Sequence, residues 1–422
     1  MKLVKLLRTY LLSRTAQHTY LTVGSNIIYG LLIIWFFVLA SRKLGPEQFG
    51  LLSLILAVYT ISFDIFTLGT SQALTRFVSV YLGKNQPAQA HGYARLIFRF
   101  RLIESALLLV AAFFIGPIFA GFYRQPLLSL PTSLSVASIS GVLIADYFIS
   151  LLRAYEKFAI AALLTAANAG FKIVFIGLLI FLSTPNLFLI TLAFVASPAA
   201  MAILGFFLSP QVKSAPIPPQ VKTDIIHFSK WLAVWGMAAS LASRIDIILL
   251  GKLSSAYQTG IYSAALKVAS GFTLIGAALS TVLTPKVSRL AHQPQQLRRK
   301  FIQITRLAAV LIVGMAIVAI SSIWFIPLLF GPEYQASVPI FRILTLSAML
   351  FIAALPANVS LVSLGLSKWI GLSSLLQLVI VILIGLLLIP RLGGQGAAWA
   401  IVTSYAAVLL LTNFYAVKKI FT

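Results

Sequence analysis

Cysteine is absent from the 422 residues, which excludes disulfides and thiolate metal sites. Histidine is scarce. His18, His91, His227 and His292 have no ligand spacing, so no metal site is expected. Only 8 residues are acidic, and charged residues make up 9% of the chain, against ~25% in soluble domains. No polar stretch is long enough for a soluble domain, and the ~10-residue alternating segments of a β-barrel are missing. No Ser/His/Asp set, Walker loop or Rossmann loop occurs, so neither an enzyme nor an ATP-driven pump is expected.

What remains is apolar. Hydrophobic residues are 60% of the chain and the mean hydropathy is +1.01. Segments of ~20 apolar residues recur along it, the length that crosses a bilayer as a helix. Twelve spans are expected, at about 21–41, 49–70, 97–121, 128–152, 158–182, 186–208, 226–250, 259–283, 303–326, 337–362, 367–389 and 396–417. The net charge of +24 fits basic residues flanking membrane helices and meeting anionic lipid. No basic soluble domain exists to carry nucleic-acid binding. With the N-terminus inside, inner segments hold twenty basic residues and outer loops five (Arg42, Lys43, Arg124, Lys252 and Arg391), so both termini are expected to be cytoplasmic.

Four parts follow from this reading. Residues 1–20 form an interfacial amphipathic segment, with Leu3, Leu6, Leu7, Tyr10 and Leu11 on one stripe. Residues 21–208 hold the first six spans, 209–223 a Pro-rich linker, and 224–422 the last six. Six is even, so the halves enter the membrane from the same side as parallel repeats. A sequence echo supports the repeat. Ser41-Arg-Lys-Leu-Gly-Pro-Glu-Gln-Phe-Gly50 is followed at an offset of 210 by Gly251-Lys-Leu-Ser-Ser-Ala-Tyr-Gln-Thr-Gly260. The offset aligns Arg42 with Lys252, Gln48 with Gln258, Gly50 with Gly260, Ser53 with Ser263 and Arg76 with Lys286. Gly45-Pro46 and Gly50 read as a tight turn packing two helices, a structural point rather than a binding site.

Charges inside spans are the candidate functional residues, because each costs at least ~2.5–3.5 kcal/mol unless it faces a cavity or a partner. Asp64, Lys172 and Lys267 lie roughly 22, 21 and 14 Å into their spans. Each lines a polar cavity or belongs to a buried ion pair. Asn168 sits one turn before Lys172 on the same face. Arg244 and Asp246, two apart, cannot face each other on one helix, so each needs its own partner. Asp146 carries protons or, by preference, pairs with a neighbouring helix. Glu104 is expected to form a local surface pair with Arg101. Arg76, at a cytoplasmic helix end, meets an anionic substrate or a lipid phosphate. A cation-rich cavity suits a phosphate or diphosphate.

Several stretches carry a family resemblance. Arg42-Lys-Leu-Gly-Pro-Glu-Gln-Phe-Gly-Leu-Leu-Ser53 resembles the stretch after the first helix of Wzx-type polysaccharide-biosynthesis flippases, in the multidrug/oligosaccharidyl-lipid/polysaccharide exporter superfamily. Arg244-Ile-Asp-Ile-Ile-Leu-Leu-Gly251 with Gly260-Ile-Tyr-Ser-Ala264 is similar to the second-half counterpart. Phe330-Gly-Pro-Glu-Tyr334 with Phe341-Arg-Ile-Leu344, and Pro390-Arg-Leu-Gly-Gly-Gln-Gly-Ala-Ala398, resemble later connections of that family. The resemblance implies an all-α, V-shaped, MATE-like fold of two parallel six-helix lobes. It implies a bacterial inner-membrane flippase that moves undecaprenyl-diphosphate-linked oligosaccharide, with H+ or Na+ as coupling ion and no cofactor. Membrane lipids, the polysaccharide polymerase and chain-length proteins are the partners it suggests. By character and depth, Lys172, Lys267 and Arg244 would hold the diphosphate. Two alternatives stand beside it. One is a drug or metabolite/cation antiporter using Asp64 and Asp246. The other is a membrane polymerase or acyltransferase, which would need a larger outside loop than this chain has.

Overall fold

The computed structural model describes residues 14–67, 70–182, 185–212, 240–290, 293–364 and 366–421. The first part of the expected amphipathic segment, most of the Pro-rich linker and the front of the seventh span, with Lys230, lie outside the described residues. Among the described residues all regular structure is helical. Ten segments among the described residues are long and apolar enough to cross a membrane. The first of these, Gly24–Gly83, contains two of the expected spans.

Helix α1 runs Arg14–Thr67 and bends at Gly45, where φ is 68° and the next residue is Pro46. Proline removes one helical donor and clashes with the preceding turn, while only glycine accepts this φ without strain. Then follow α2 (Thr70–Gly83), α3 (Pro87–Tyr123), α4 (Ser129–Ala154), α5 (Phe158–Leu182) and α6 (Leu187–Leu208). Beyond the linker come α7 (Ile245–Leu253), α8 (Ala256–Ser288), α9 (Pro294–Phe330), α10 (Ser337–Ala353), α11 (Leu355–Ser363), α12 (Ser367–Leu392) and α13 (Gly394–Phe421). Pro356 opens α11 and explains its break from α10.

The two halves repeat one plan. Helices α3 and α9 each have 37 residues, open with a proline after a glutamine, and lead into a single 3-10 turn. Helix α3 packs on α4, α4 on α6 and α5 on α6. In the second half, α9 packs on α10, α10 on α13 and α12 on α13.

By packing, the described chain separates into two compact units. One holds residues up to Phe36 and Val58–Gly236; the other holds Phe37–Ala57 and Met237–Thr422. The segment Phe37–Ala57 thus joins the second unit although it is early in the chain. Its glycines explain why. A Cβ on Gly50 would overlap the Ala256 carbonyl oxygen and lie 2.8 Å from the Gly260 nitrogen. A Cβ on Gly260 would overlap the Pro46 carbonyl. The two glycines aligned by the repeat therefore face each other, backbone to backbone. Phe49 packs edge-on against Tyr334, whose hydroxyl donates to the Ser41 carbonyl at 3.2 Å. Arg42 donates through Nε to the Leu329 carbonyl at 2.6 Å and also reaches the Leu328 carbonyl. These are the unsatisfied carbonyls at the C-terminal end of α9, where a cation suits the helix dipole. Gln258, which the offset aligns with Gln48, accepts the Gly394 N–H at 3.1 Å and so satisfies a donor at the start of α13.

Candidate functional site

The first unit places Lys172 on α5, only 2% exposed. Its ammonium donates to Asn168 Oδ1 at 3.0 Å, one turn earlier, as the i, i+4 spacing requires. The same oxygen accepts from Ser197 Oγ on α6 at 3.0 Å. The ammonium also lies 4.4 Å from the centre of the Phe194 ring and 5.8 Å from that of Tyr29. Phe194 is held by Phe36 and Tyr59 of α1, at 5.6 and 5.5 Å between ring centres. Among the described residues no carboxylate pairs with Lys172. Aromatic faces and one amide oxygen compensate the charge in part, and a charge at this depth is costly without a full counter-charge.

The second unit has its own cationic group. Lys267 on α8 stands 3.9 Å above the centre of the Phe37 ring. Arg244 lies close enough to interact electrostatically with Lys267, Asp246 and Tyr262. Asp246 is 2% exposed and accepts the Tyr262 hydroxyl. Tyr405, also within electrostatic range of Asp246, is hydrogen-bonded to Gln377. Asp246 has its own partner in Tyr262, and among the described residues no salt bridge joins it to Arg244. Arg244 is not inside a helix: it caps α7 with φ of −134°, after a turn at Ser243-Arg244. The expected span across 226–250 is thus interrupted at this turn. Asp246 falls in the first turn of α7, where an acid complements the dipole.

The remaining candidates lie elsewhere in the first unit. Asp64 is half-buried near the end of α1, where Thr67 Oγ1 donates to its carbonyl at 3.2 Å. Arg76 is exposed on α2 and its guanidinium sits 5.7 Å from the Phe77 ring centre. Asp146 on α4 joins a buried cluster with Arg101 and Glu104 of α3 and Ser71 of α2. Arg101 meets Glu104 at 2.9 Å and Asp146 at 3.4 Å; it donates to Ser71 Oγ at 2.8 Å, and Ser71 donates to Asp146. Arg101 is 0% and Glu104 4% exposed, so the expected surface pair is a buried one.

Tyr29, Phe37, Phe194 and Ser197 escape a sequence reading, since a ring under an ammonium on another helix leaves no spacing signal. Tyr262 had one, its place in the Gly260-Ile-Tyr-Ser-Ala264 stretch.

A sequence model described as polysaccharide biosynthesis protein matches residues 38–339, well over half of the chain. The chain belongs to the polysaccharide biosynthesis protein family. No curated protein matches it. Solved structures match this family member in fold. An inward-facing multidrug resistance MATE family transporter of the MOP superfamily aligns with a TM-score of 0.80 and 12% identity, over 93% of this chain and 94% of its own. The lipid II flippase MurJ, in an inward closed conformation, aligns at 0.74 and 13%, over 94% and 88%. A MOP superfamily transporter from Pyrococcus furiosus, described as having a binding pocket of reversed polarity, aligns at 0.66 and 14%, over 96% and 94%. The chain is thus helical in all its described regular structure, a multi-pass membrane protein with the fold of this MATE transporter and of MurJ.

Proposed function

We propose that the protein is a non-enzymatic flippase. It moves undecaprenyl-diphosphate-linked oligosaccharide across the bacterial cytoplasmic membrane by alternating access, with an ion as the coupling partner. Both termini then face the cytoplasm. Its working partners are the lipid-linked glycan, membrane lipids and the pathway's polymerase and chain-length proteins. Membership of the polysaccharide biosynthesis family and a fold shared with the lipid II flippase support this reading. The observation that carries it is that Lys172 and Lys267 rest on aromatic rings rather than on carboxylates. A phosphate group supplies the negative charge that such an ammonium lacks, through strong charge-assisted hydrogen bonds.

The test is a double variant, Lys172→Met with Lys267→Met, in a host whose surface polysaccharide depends on this gene. Each lost charge-assisted bond is worth ~1.5–3 kcal/mol, so either loss weakens substrate binding at least roughly 10-fold. Surface polysaccharide should vanish while lipid-linked repeat units accumulate and the variant stays at normal level in the membrane. Normal surface polysaccharide would overturn the assignment. A gain of drug tolerance from the parent chain, with no polysaccharide phenotype, would point instead to an antiporter of the MATE kind working through Asp246.

A further inference from the structure

Helices α3 and α9 share a further feature that the flippase reading does not use. Each carries an exposed arginine twelve residues after its opening proline, Arg99 in α3 and Arg306 in α9. The far ends of these helices, Tyr123 and Phe330, each lie 24 residues beyond that arginine, roughly 36 Å at 1.5 Å per residue. The hydrocarbon core of a bilayer is ~30 Å thick and the whole, with headgroups, ~40–45 Å. Both guanidiniums therefore fall at headgroup level. From each, a stripe of apolar side chains runs along the same helix face. Ile103, Val110 and Phe113 follow Arg99 at steps of four, seven and three residues, and Val310, Ile317 and Ile320 follow Arg306 at the same steps. All six are 58–75% exposed. In a membrane-spanning helix, acyl chains cover such a stripe.

Charge says which lipid. No acid occurs between Asp64 and Glu104, nor between Asp246 and Glu333. Among the described residues neither Arg99 nor Arg306 has a salt bridge. Further exposed cations flank them toward the helix starts, Lys84 just before α3 and Arg298 and Arg299 within α9. The planar fork of arginine matches the oxygens of a phosphate. A zwitterionic lipid brings an ammonium of its own into this cationic surround, whereas an anionic one does not. We infer that each unit seats one anionic phospholipid, its phosphate on Arg99 or Arg306 and an acyl chain along the exposed stripe of the same helix. The arginine is identical in the two units. The three apolar positions differ in residue and keep their character, as a fixed charge at the head of an acyl chain requires. With the termini in the cytoplasm, both seats lie in the inner leaflet.

The experiment is native mass spectrometry of the purified full-length protein in detergent, titrated with phosphatidylglycerol and, separately, with phosphatidylethanolamine. The parent should take up two phosphatidylglycerol molecules in preference to phosphatidylethanolamine. Arg99→Gln and Arg306→Gln should each weaken one of the two binding events about fivefold, the worth of one cation beside an anionic headgroup. The double variant should lose the preference, and the double variant Arg99→Lys, Arg306→Lys should keep it. Equal affinity of the parent for the two lipids would overturn the seats, and so would a preference that survives in the double glutamine variant. Displacement by an equal concentration of soluble glycerol phosphate would leave the stripe without a role and overturn them too. Displacement by an equal concentration of undecaprenyl diphosphate would assign the face to the transported lipid instead. No glycan enters the measurement, so the flippase reading can fail without it. The Lys172→Met, Lys267→Met variant should lose export yet keep both phospholipids.

Discussion

Replacing Arg101 by methionine is expected to destabilise the protein by about 3–5 kcal/mol, the usual cost of removing one member of a buried ionic group. The substitution keeps much of the side-chain volume, so packing is not the cause. It strips the cation from Glu104 and Asp146 and leaves Ser71 Oγ and the Phe66 carbonyl without their donor. Neutralising the acids as well should undo most of the damage. A triple variant, Arg101→Met with Glu104→Gln and Asp146→Asn, should recover stability, because a buried ionic group replaced as a whole is often nearly neutral. Thermal unfolding in detergent, followed by intrinsic fluorescence, measures both. An Arg101→Met protein within about 0.5 kcal/mol of the parent would show that the cluster contributes nothing to the fold.

The second large effect belongs to the two facing glycines. Alanine at Gly50 or at Gly260 puts a methyl group into backbone atoms, not into the end of a flexible side chain. Overpacking a core costs about 1–3 kcal/mol where side chains can shift. Here a helix must move, so the cost should lie at the upper end or above it, and valine should prevent accumulation in the membrane. Gly170 supplies the control. A Cβ there meets nothing within 4 Å, and alanine in a helix is favoured over glycine by about 0.5–1 kcal/mol. Gly170→Ala should therefore unfold at or above the parent temperature in the same assay. Equal behaviour of Gly50→Ala and Gly170→Ala would remove the close approach from the account.

Much of this fold is legible in the residues. Apolar runs mark the spans, prolines mark the helix starts, and the offset between the two glycine motifs marks the repeat. What the offset cannot say is that Gly50 and Gly260 touch, since alignment of two repeats gives equivalence and not contact. Depth was the other difficulty. Counting from the hydropathy edge near residue 97 puts Arg101 and Glu104 close to a surface. Helix α3 begins ten residues earlier, at Pro87, and is 37 residues long, roughly 55 Å at 1.5 Å per residue. Its apolar window and its physical ends do not coincide, and the pair lies inside the helix packing. The lysines were legible as intramembrane charges. Their aromatic supports were not, because the packing of separate helices, which no spacing along the chain encodes, sets which ring lies under an ammonium.

The early segment Phe37–Ala57 has a further consequence, for the order of assembly. It leaves the ribosome among the first residues, yet Ala256 and Gly260, against which it closes, follow about 200 residues later. At ~5–20 residues per second that is a wait of roughly 10–40 seconds. During this time the bare backbone face around Gly50 has no mate, and the first unit must be inserted without this segment. The partner that ends the wait is the stretch Ala256–Ser263, so a chain truncated before it carries an apolar segment that nothing can cover. Such a fragment should be degraded in the membrane faster than the whole chain, which a pulse-chase measurement would show.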